Sequence, residues 1–575
     1  MRSILREGRD WAIAPAPAHS LIDTIRSALG CSVPYATLLA QRGGENWASV
    51  IDPGTQSFHS PFLLHDMEHA VERLRQAFDR KEKIFIHGDF DADGLTGAAV
   101  LYRALRPLLP ANSIKVEVGE RAHGHGLSKP FVLRAIQEGF QLVITVDCGI
   151  SNHAEIAELK RAGIDTIITD HHLPAESLPE AVAIVDPHRA EDSYPNPNLA
   201  GVGVAYKLVC AVYERLGHPA PMHLLDLVAL GTVADLVPLS SNGESENRAI
   251  VREAFARIAK GEGCSLGLRA LSEKLSVKPE KIRASDIGYL IAPKLNAANR
   301  AGDPKVAFLL LITEDADQAE YLAEILLDYN RDREIAQNDL IAQADEQIRA
   351  DGMTPREDGI LFLVGKYWNE GILGLVASSL ADRFHVPAIV VSRGDRLSRG
   401  SCRSVGEFDM NACLRAHDDL LLQHGGHRSA AGFTVANEML AALEERLLAY
   451  ADTCRADVGA KRVDLADVEL NLADVDMRLL TDLASLGPYG PGNPEPRFVV
   501  RDCSFSELKL VGNRRQHLKG KASQRGTPVP LIAFRMGKHL SLFEETKAGT
   551  LVCSVGFDDW RNDVQVQGHD LVVAA

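Results

Sequence analysis

Lys83-Glu-Lys-Ile-Phe-Ile-His-Gly-Asp-Phe-Asp-Ala-Asp-Gly-Leu-Thr-Gly97 decides how the rest of the chain is read. Ile84, Phe85 and Ile86 form a short apolar run of the kind that makes a buried strand. The run ends in His87, Asp89, Asp91 and Asp93, spaced by Gly88, Phe90 and Ala92 and followed by Gly94. From Leu95 to Leu105 the pattern turns helical, which places the acids where a strand hands over to a helix. Three carboxylates this close repel one another, and a folded chain keeps them together only with a compensating charge. Hard carboxylate oxygens suit Mg²⁺ or Mn²⁺ in that role. Two plainer readings compete. An EF-hand loop also begins D-x-D-x-D-G, but its twelfth position, counted from Asp89, is Val100, and the lead-in is a strand pattern. The other is a solvated acidic turn, and partners further along the chain decide against it.

A chain of 575 residues is too long for one core and implies about three or four domains. The 9 cysteines are scattered without a C-x-x-C pair, so neither a disulfide framework nor a thiolate zinc site is indicated. Reduced thiols, no apolar leader pattern and no run of membrane-spanning length predict a cytoplasmic protein with no membrane partner. A net charge of −16 argues against a protein that coats nucleic acid non-specifically, since that footprint is basic. It does not exclude a polyanionic substrate held through metal ions and local basic patches.

Outward from the opening stretch, residues 1–70 read as an N-terminal extension packed on the first domain. From about residue 80 to 190, strand patterns at Ile84–Ile86, Ile114–Val118, Leu142–Val146, Thr166–Thr169 and Ala183–Val185 alternate with helical ones. The helical stretches are Gly97–Leu105, Lys129–Glu138 and His153–Ala162. This alternation predicts a doubly wound parallel sheet with ligands at the carboxyl ends of its strands. Val146 is followed by Asp147, Thr169 by Asp170-His171-His172, and Val185 by Asp186-Pro187-His188; the run Leu224–Leu230 leads to Asp235. One such Asp is an ordinary helix cap. Several at one edge can cage two divalent cations, the arrangement that serves phosphoester hydrolysis.

Four of these segments resemble the ordered motifs of the DHH phosphoesterase superfamily: His87-x-Asp89-x-Asp91-x-Asp93-Gly, Asp147-Cys-Gly, Asp170-His171-His172 and Gly231-Thr-Val-Ala-Asp235. The fuller match, from about residue 45 to the C-terminus, is to the RecJ-type single-strand DNA exonucleases. The resemblance implies one metal site from Asp93, Asp147, His171 and Asp235 and a second from His87, Asp91 and the bridging Asp147. It implies that Asp170 orients His171 and that His172 faces the scissile phosphate. Asp89 either supports these ligands or helps hold the second metal.

Two segments depart from the family pattern. Asn299, in Asn-Ala-Ala-Asn-Arg300, stands where the family has glycine, and a left-handed turn at this asparagine is expected. His125 stands where the family has Tyr, and Arg121 precedes it. Arg121, His125 and Arg300 are candidate contacts to phosphate or base. Residues 313–350 read as one long connecting helix. Residues 351–460 resemble the DHH-associated domain, with Ser401, Arg403, Gly425, Gly426 and His427 as its substrate contacts, closing over the metal edge. After the turn-rich Leu486–Pro496, strand-like runs in 461–575 suggest an OB-type barrel. Arg514, Arg515 and Lys519 give it a basic face, with Phe534 and Trp560 for base stacking.

The predicted fold class is therefore α/β: a doubly wound parallel-sheet DHH domain over 71–312, the connecting helix, a smaller α/β DHH-associated domain and the barrel. The predicted function is a metal-dependent exonuclease on single-stranded DNA that uses two divalent cations, Mn²⁺ or Mg²⁺. By resemblance it runs 5′ to 3′, releases mononucleotides and serves repair and recombination, with a helicase and a single-strand-binding protein as partners. The rivals are a small-substrate DHH phosphoesterase, whose chains usually lack the barrel, and a non-catalytic DNA-binding scaffold, which should have lost metal-site acids.

Overall fold

The computed structural model describes residues 1–5, 9–121, 124–355, 359–454, 462–512, 514–558 and 561–573. Two short strands come first, β1 (Arg2–Ser3) and β2 (Arg9–Ile13). Next come β3 (Ile84–Gly88), β4 (Ile114–Val118), β5 (Leu142–Val146), β6 (Asp165–Thr169) and β7 (Ala183–Val185). These five form an all-parallel sheet in the order β4-β3-β5-β6-β7. Every residue of β3 and β5 is buried, as expected of parallel strands covered on both faces by crossover helices. The connecting helices span Ala92–Leu105, Lys129–Gln137 and His153–Arg161. The chain reverses direction across the sheet at β3, so the β3/β5 boundary is the switch point where such sheets bind ligands.

The register puts four acids side by side. Gly88, Val146, Thr169 and Val185 lie in one row across β3, β5, β6 and β7. The pairing runs one residue further, through Asp89 N–H to Val146 O (3.1 Å), Asp147 N–H to Thr169 O (3.0 Å) and Asp170 N–H to Val185 O (3.1 Å). Asp89, Asp147, Asp170 and Asp186 therefore leave the same edge. The first helix begins earlier than its apolar pattern suggests. Asp91 is its N-cap, accepting from the Asp93 and Gly94 N–H groups, and Asp93 lies inside the first turn. A capping carboxylate satisfies donors that apolar periodicity cannot reveal.

A second sheet contains β8 (Leu361–Lys366), β9 (Ala388–Arg393), β10 (Leu397–Arg403), β11 (Gln423–His427) and β12 (Ala430–Ala436), in the order β11-β12-β10-β9-β8. The long helix, Ala316–Ala350, is capped by Asp315 and buries Leu340, Ala344 and Ile348 with Leu361 and Leu363. Asn299 corrects an expectation: it lies within the helix Ala292–Ala301, not in a left-handed turn. Its Oδ1 accepts from the Arg121 N–H (3.1 Å), a bond the glycine expected there could not make.

The C-terminal strands are β13 (Arg462–Ala466), β14 (Val468–Glu469), β15 (Phe498–Val511), β16 (His517–Gln524), β17 (Thr527–Ala533), β18 (Gly549–Asp558) and β19 (Asp563–Val573). Pairings β15·β16, β16·β17, β17·β19, β19·β18 and β18·β15 close a five-stranded barrel. The N-terminal segment is built into this region as well as touching the first domain. β1 pairs with β19, β2 with β1 and β13 with β2. Ile25, Leu38 and Leu39 share a core with Phe498, Phe543 and Leu551. The parallel sheet, the N-terminal segment and the barrel form one compact unit, and the second sheet with its helices forms another. Among the described residues no helix is long and apolar enough to cross a membrane.

Candidate metal centre

Strand ends and helix ends supply the polar groups at the sheet edge. Asp147 follows β5 with φ 59°, a left-handed conformation that aspartate tolerates better than most residues. Gly201 begins the helix Gly201–Arg215, and a Cβ there would lie 2.6 Å from the Asp147 Cβ, so only glycine lets that helix approach so closely. The helix spends its first free N–H groups on Asp93. Gly201 N–H donates to Oδ2 (2.6 Å) and Val202 N–H to Oδ1 (2.9 Å). A helix N-terminus is a natural seat for an anion. Asp235 comes from the opposite kind of end, the C-cap of helix Leu225–Ala234, and not from a strand. A carboxylate there faces the negative pole of the helix, an unfavourable place unless a cation joins it.

His171 Nε2 is the meeting point. It lies 3.0 Å from Asp147 Oδ1, 3.6 Å from Asp235 Oδ2 and 3.8 Å from Asp93 Oδ2. Three groupings have ligand atoms within 4.8 Å of one another: Asp93–His171–Asp235, Asp147–His171–His172 and Asp89–Asp91–Asp147. Asp147 belongs to two of them. Asp89 completes the group with Asp91 and Asp147; His87 is buried against Phe131, with its Nε2 3.3 Å from Gly126 O. Burial and the neighbouring Asp91 push Asp93 up to about 7. Burial with Asp93 and Asp91 pushes Asp235 up to about 9. Asp147 is raised well above the usual carboxylate range by burial and by the charges of Asp93, Asp91, Asp89 and Asp235. A divalent cation would replace the protons these acids otherwise keep.

Asp170 behaves differently although it is equally buried. Burial opposes its charge, but the His172 hydrogen bond and charge, with the Ile150 N–H, outweigh that and hold it at about 2. Its Oδ1 accepts from the His171 N–H (2.8 Å) and His172 N–H (3.2 Å), and lies 2.8 Å from His172 Nδ1. One ionised carboxylate thereby orients the backbone of His171 and the ring of His172. Sequence reading missed two other supports. The Gly201 and Val202 amides carry no side-chain signature. His188, whose Nδ1 lies 2.6 Å from His171 O, was visible only as a His after a strand-end Asp.

In the second sheet, the register aligns most of the remaining candidates. Ser401 pairs with Gly432 and Gly432 with Gly425; Arg403 pairs with Ala430 and Ala430 with His427. Gly425, Gly426 and His427 therefore belong to the edge strand of this sheet. Arg403 and Ser401 approach the first turn of helix Leu373–Phe384, where a Cβ on Gly374 would lie 3.0 Å from both. Arg300 Nη1 donates to Gly371 O (2.5 Å), just before that helix. Arg121 N–H is held by Asn299, and His125 is exposed.

In the barrel, Arg514 and Arg515 are exposed in the β15–β16 connection, with Arg515 at φ 53°. Lys519 is not available in the same way: its Nζ lies 2.7 Å from Oδ2 of buried Asp558. Phe534 is 55% exposed, edge-on to His517. Trp560 lies outside the described residues.

Family models place these features in known proteins. The DHH family N-terminal domain matches residues 83–232, the DHHA1 domain 357–454 and the RecJ OB domain 466–569. The single-stranded-DNA-specific exonuclease RecJ of Bacillus subtilis is 32% identical over 96% of this chain and 69% of its own. That of Haemophilus influenzae is 33% identical over 90% of this chain and 92% of its own. The crystal structure of RecJ in complex with Mn²⁺ from Thermus thermophilus superposes with a TM-score of 0.84 at 29% identity, covering 99% of this chain and 80% of that one. Sheet topology, acid row, barrel and sequence identity agree, and the chain belongs to the RecJ family of single-stranded-DNA-specific exonucleases.

Proposed function

We propose that this chain is a metal-dependent exonuclease that hydrolyses phosphodiester bonds of single-stranded DNA at the β3/β5 edge. Asp93, Asp147, His171 and Asp235 hold one divalent cation. Asp91 and Asp147, with Asp89 or His87, hold a second. The observation that carries the reading is the His171 imidazole within 3.0–3.8 Å of three carboxylates, buried Asp93 and Asp147 and half-buried Asp235, with Asp93 and Asp235 held up to about 7 and about 9. That donor set of hard oxygens and an imidazole suits Mn²⁺ or Mg²⁺. When bound, such ions polarise phosphoryl oxygens and lower the pKa of water toward neutrality.

The chain's own residues do the rest. Asp170 orients the His172 ring through Nδ1, and the ring's Nε2 meets the scissile phosphate, steadies its charge or carries a proton. Ser401 and Arg403, beside the Leu373–Phe384 helix N-terminus, with Arg300, Arg121, His125 and the Gly425–His427 strand, bind nucleotide phosphate and sugar. Arg514, Arg515 and Phe534 engage the incoming strand on the barrel. The family likeness supports 5′ to 3′ polarity, release of mononucleotides and a role in repair and recombination. A cytoplasmic setting, with a helicase and a single-strand-binding protein supplying the strand, belongs to the same reading. Side-by-side assays with Mn²⁺ on 5′-labelled single strands, duplex and two- to five-nucleotide RNA test it. Single-stranded DNA should be degraded fastest; preference for the short RNA contradicts the reading.

A further inference from the structure

Asp235 and Leu239 are separated by only three residues, and that strap is held by a segment more than 200 positions further along the chain. Leu236, directly after Asp235, is 64% exposed and has φ 62°. A bulky side chain in the left-handed region is strained and persists only where its surroundings enforce it. The enforcing contacts come from the turn-rich segment before the barrel. Leu239 N–H donates to Pro491 O (2.8 Å). Gly492, at φ 71°, packs so tightly that a Cβ would lie 1.9 Å from Ser240 O, and a Cβ on Gly490 would lie 2.9 Å from Leu239 Cδ1. Arg248 closes the joint from behind. Its N–H donates to Leu239 O (3.0 Å), and its buried guanidinium donates to Val50 O (2.7 Å), Gly487 O (3.2 Å) and Ser485 O (3.3 Å). Asn493 fastens the clamp itself, donating to Leu486 O and Pro488 O and accepting from Arg42.

We infer that the Gly487–Asn493 segment positions the metal-holding Asp235: it locks the strap after that residue in its strained conformation, so metal affinity depends on how the barrel region is seated. This rests on the reading of Asp235 as a metal ligand. Without the clamp, Leu236 relaxes to an ordinary φ, and the Asp235 carboxylate, one residue away, swings out of reach of Asp93 and His171. The region expected to feed the strand thereby also sets the geometry of the metal group.

The test is Mn²⁺ binding to the full chain, counted from the free-Mn²⁺ spin-resonance signal, in wild type, Asp235→Ala, Gly492→Ala and Gly490→Ala. Gly492→Ala should weaken Mn²⁺ binding by about tenfold, in the range seen when the support of a ligand is removed. Oligonucleotide binding without metal should stay within about twofold, and turnover should return at saturating Mn²⁺, which mere loss of fold would not allow. Gly490→Ala meets only a flexible Leu side chain; it should weaken Mn²⁺ by about two- to threefold and decides the matter if Gly492→Ala does not fold. If Asp235→Ala loses Mn²⁺ while the glycine variants that fold bind it as wild type does, the clamp is refuted and the metal reading stands. If Asp235→Ala itself binds Mn²⁺ as wild type does, the metal reading fails first.

Discussion

The edge of the parallel sheet and the face of the barrel both carry dense charge, yet they treat it in opposite ways. On the barrel, Lys519 is neutralised by Asp558 and Lys521 by Glu507, each at 2.7 Å. Lys509 and Lys519 lie opposite each other across β15 and β16, where like charges repel, and the Asp558 partner relieves that cost. At the sheet edge, acids accumulate on one another, and Asp93, Asp147 and Asp235 are driven to hold protons near neutral pH. Charge that a fold balances internally is architecture. Charge that it gathers and leaves unbalanced awaits something from outside, and here the missing charge is positive.

Substitutions at the two regions should separate these roles. The largest effect belongs to Asp147, shared by two of the three groupings. Asp147→Ala should lower kcat/KM on single-stranded DNA by about 10³-fold or more at saturating Mn²⁺. His172→Ala should cost about 10²-fold in kcat while Mn²⁺ binding is retained, since its proposed partner is the phosphate. On the barrel the changes are smaller. Phe534→Ala should weaken strand binding by about fivefold, the low end for loss of one stacked base. Lys519→Ala should shift strand binding least but lower the melting temperature, because Asp558 is left buried without its cation. If Lys519→Ala cost more in strand binding than Phe534→Ala, the contrast between balanced and unbalanced charge would not hold.

The same contrast predicts a pH dependence. Asp93, Asp147 and Asp235 are raised in the folded chain, so between the ordinary carboxylate range and their folded values the native state holds more protons than the unfolded one. Their contribution to metal-free stability is complete at low pH and is lost as pH rises through about 7 and about 9. Mn²⁺ competes with those protons. Calorimetric melts should therefore show a larger Mn²⁺-induced gain in melting temperature at high pH than at low pH.

The central strands of the parallel sheet were legible because buried parallel strands read as continuous apolar runs, and the edge strand β4 by its alternation of Ile114, Val116 and Val118 with Lys115 and Glu117; each observed strand agrees with its predicted range to within two residues. The acids were legible because they follow those runs directly. Long-range partnerships were not. Asp93 meets Gly201 and Val202 through backbone amides more than a hundred positions away, and amides look alike in any sequence. Asn299 was read from the glycine it replaces, whereas its helix is set by the flanking Ala292–Ala301 pattern. The β16 strand was read only as a cluster of basic residues, because its alternation of Leu518, Gly520 and Ala522 with Lys519 and Lys521 buries small side chains and gives a weak apolar signal. The pairing of β1 and β2 with the C-terminal sheet joins opposite ends of the chain and leaves no local trace.

An anomalous-difference map from crystals soaked in Mn²⁺ tests the central claim most directly. The account predicts two peaks at the β3/β5 edge with the Asp147 carboxylate between them, one of them beside His171 Nε2 and Asp235. A map with no peak there, or with peaks only at surface carboxylates elsewhere, would contradict it.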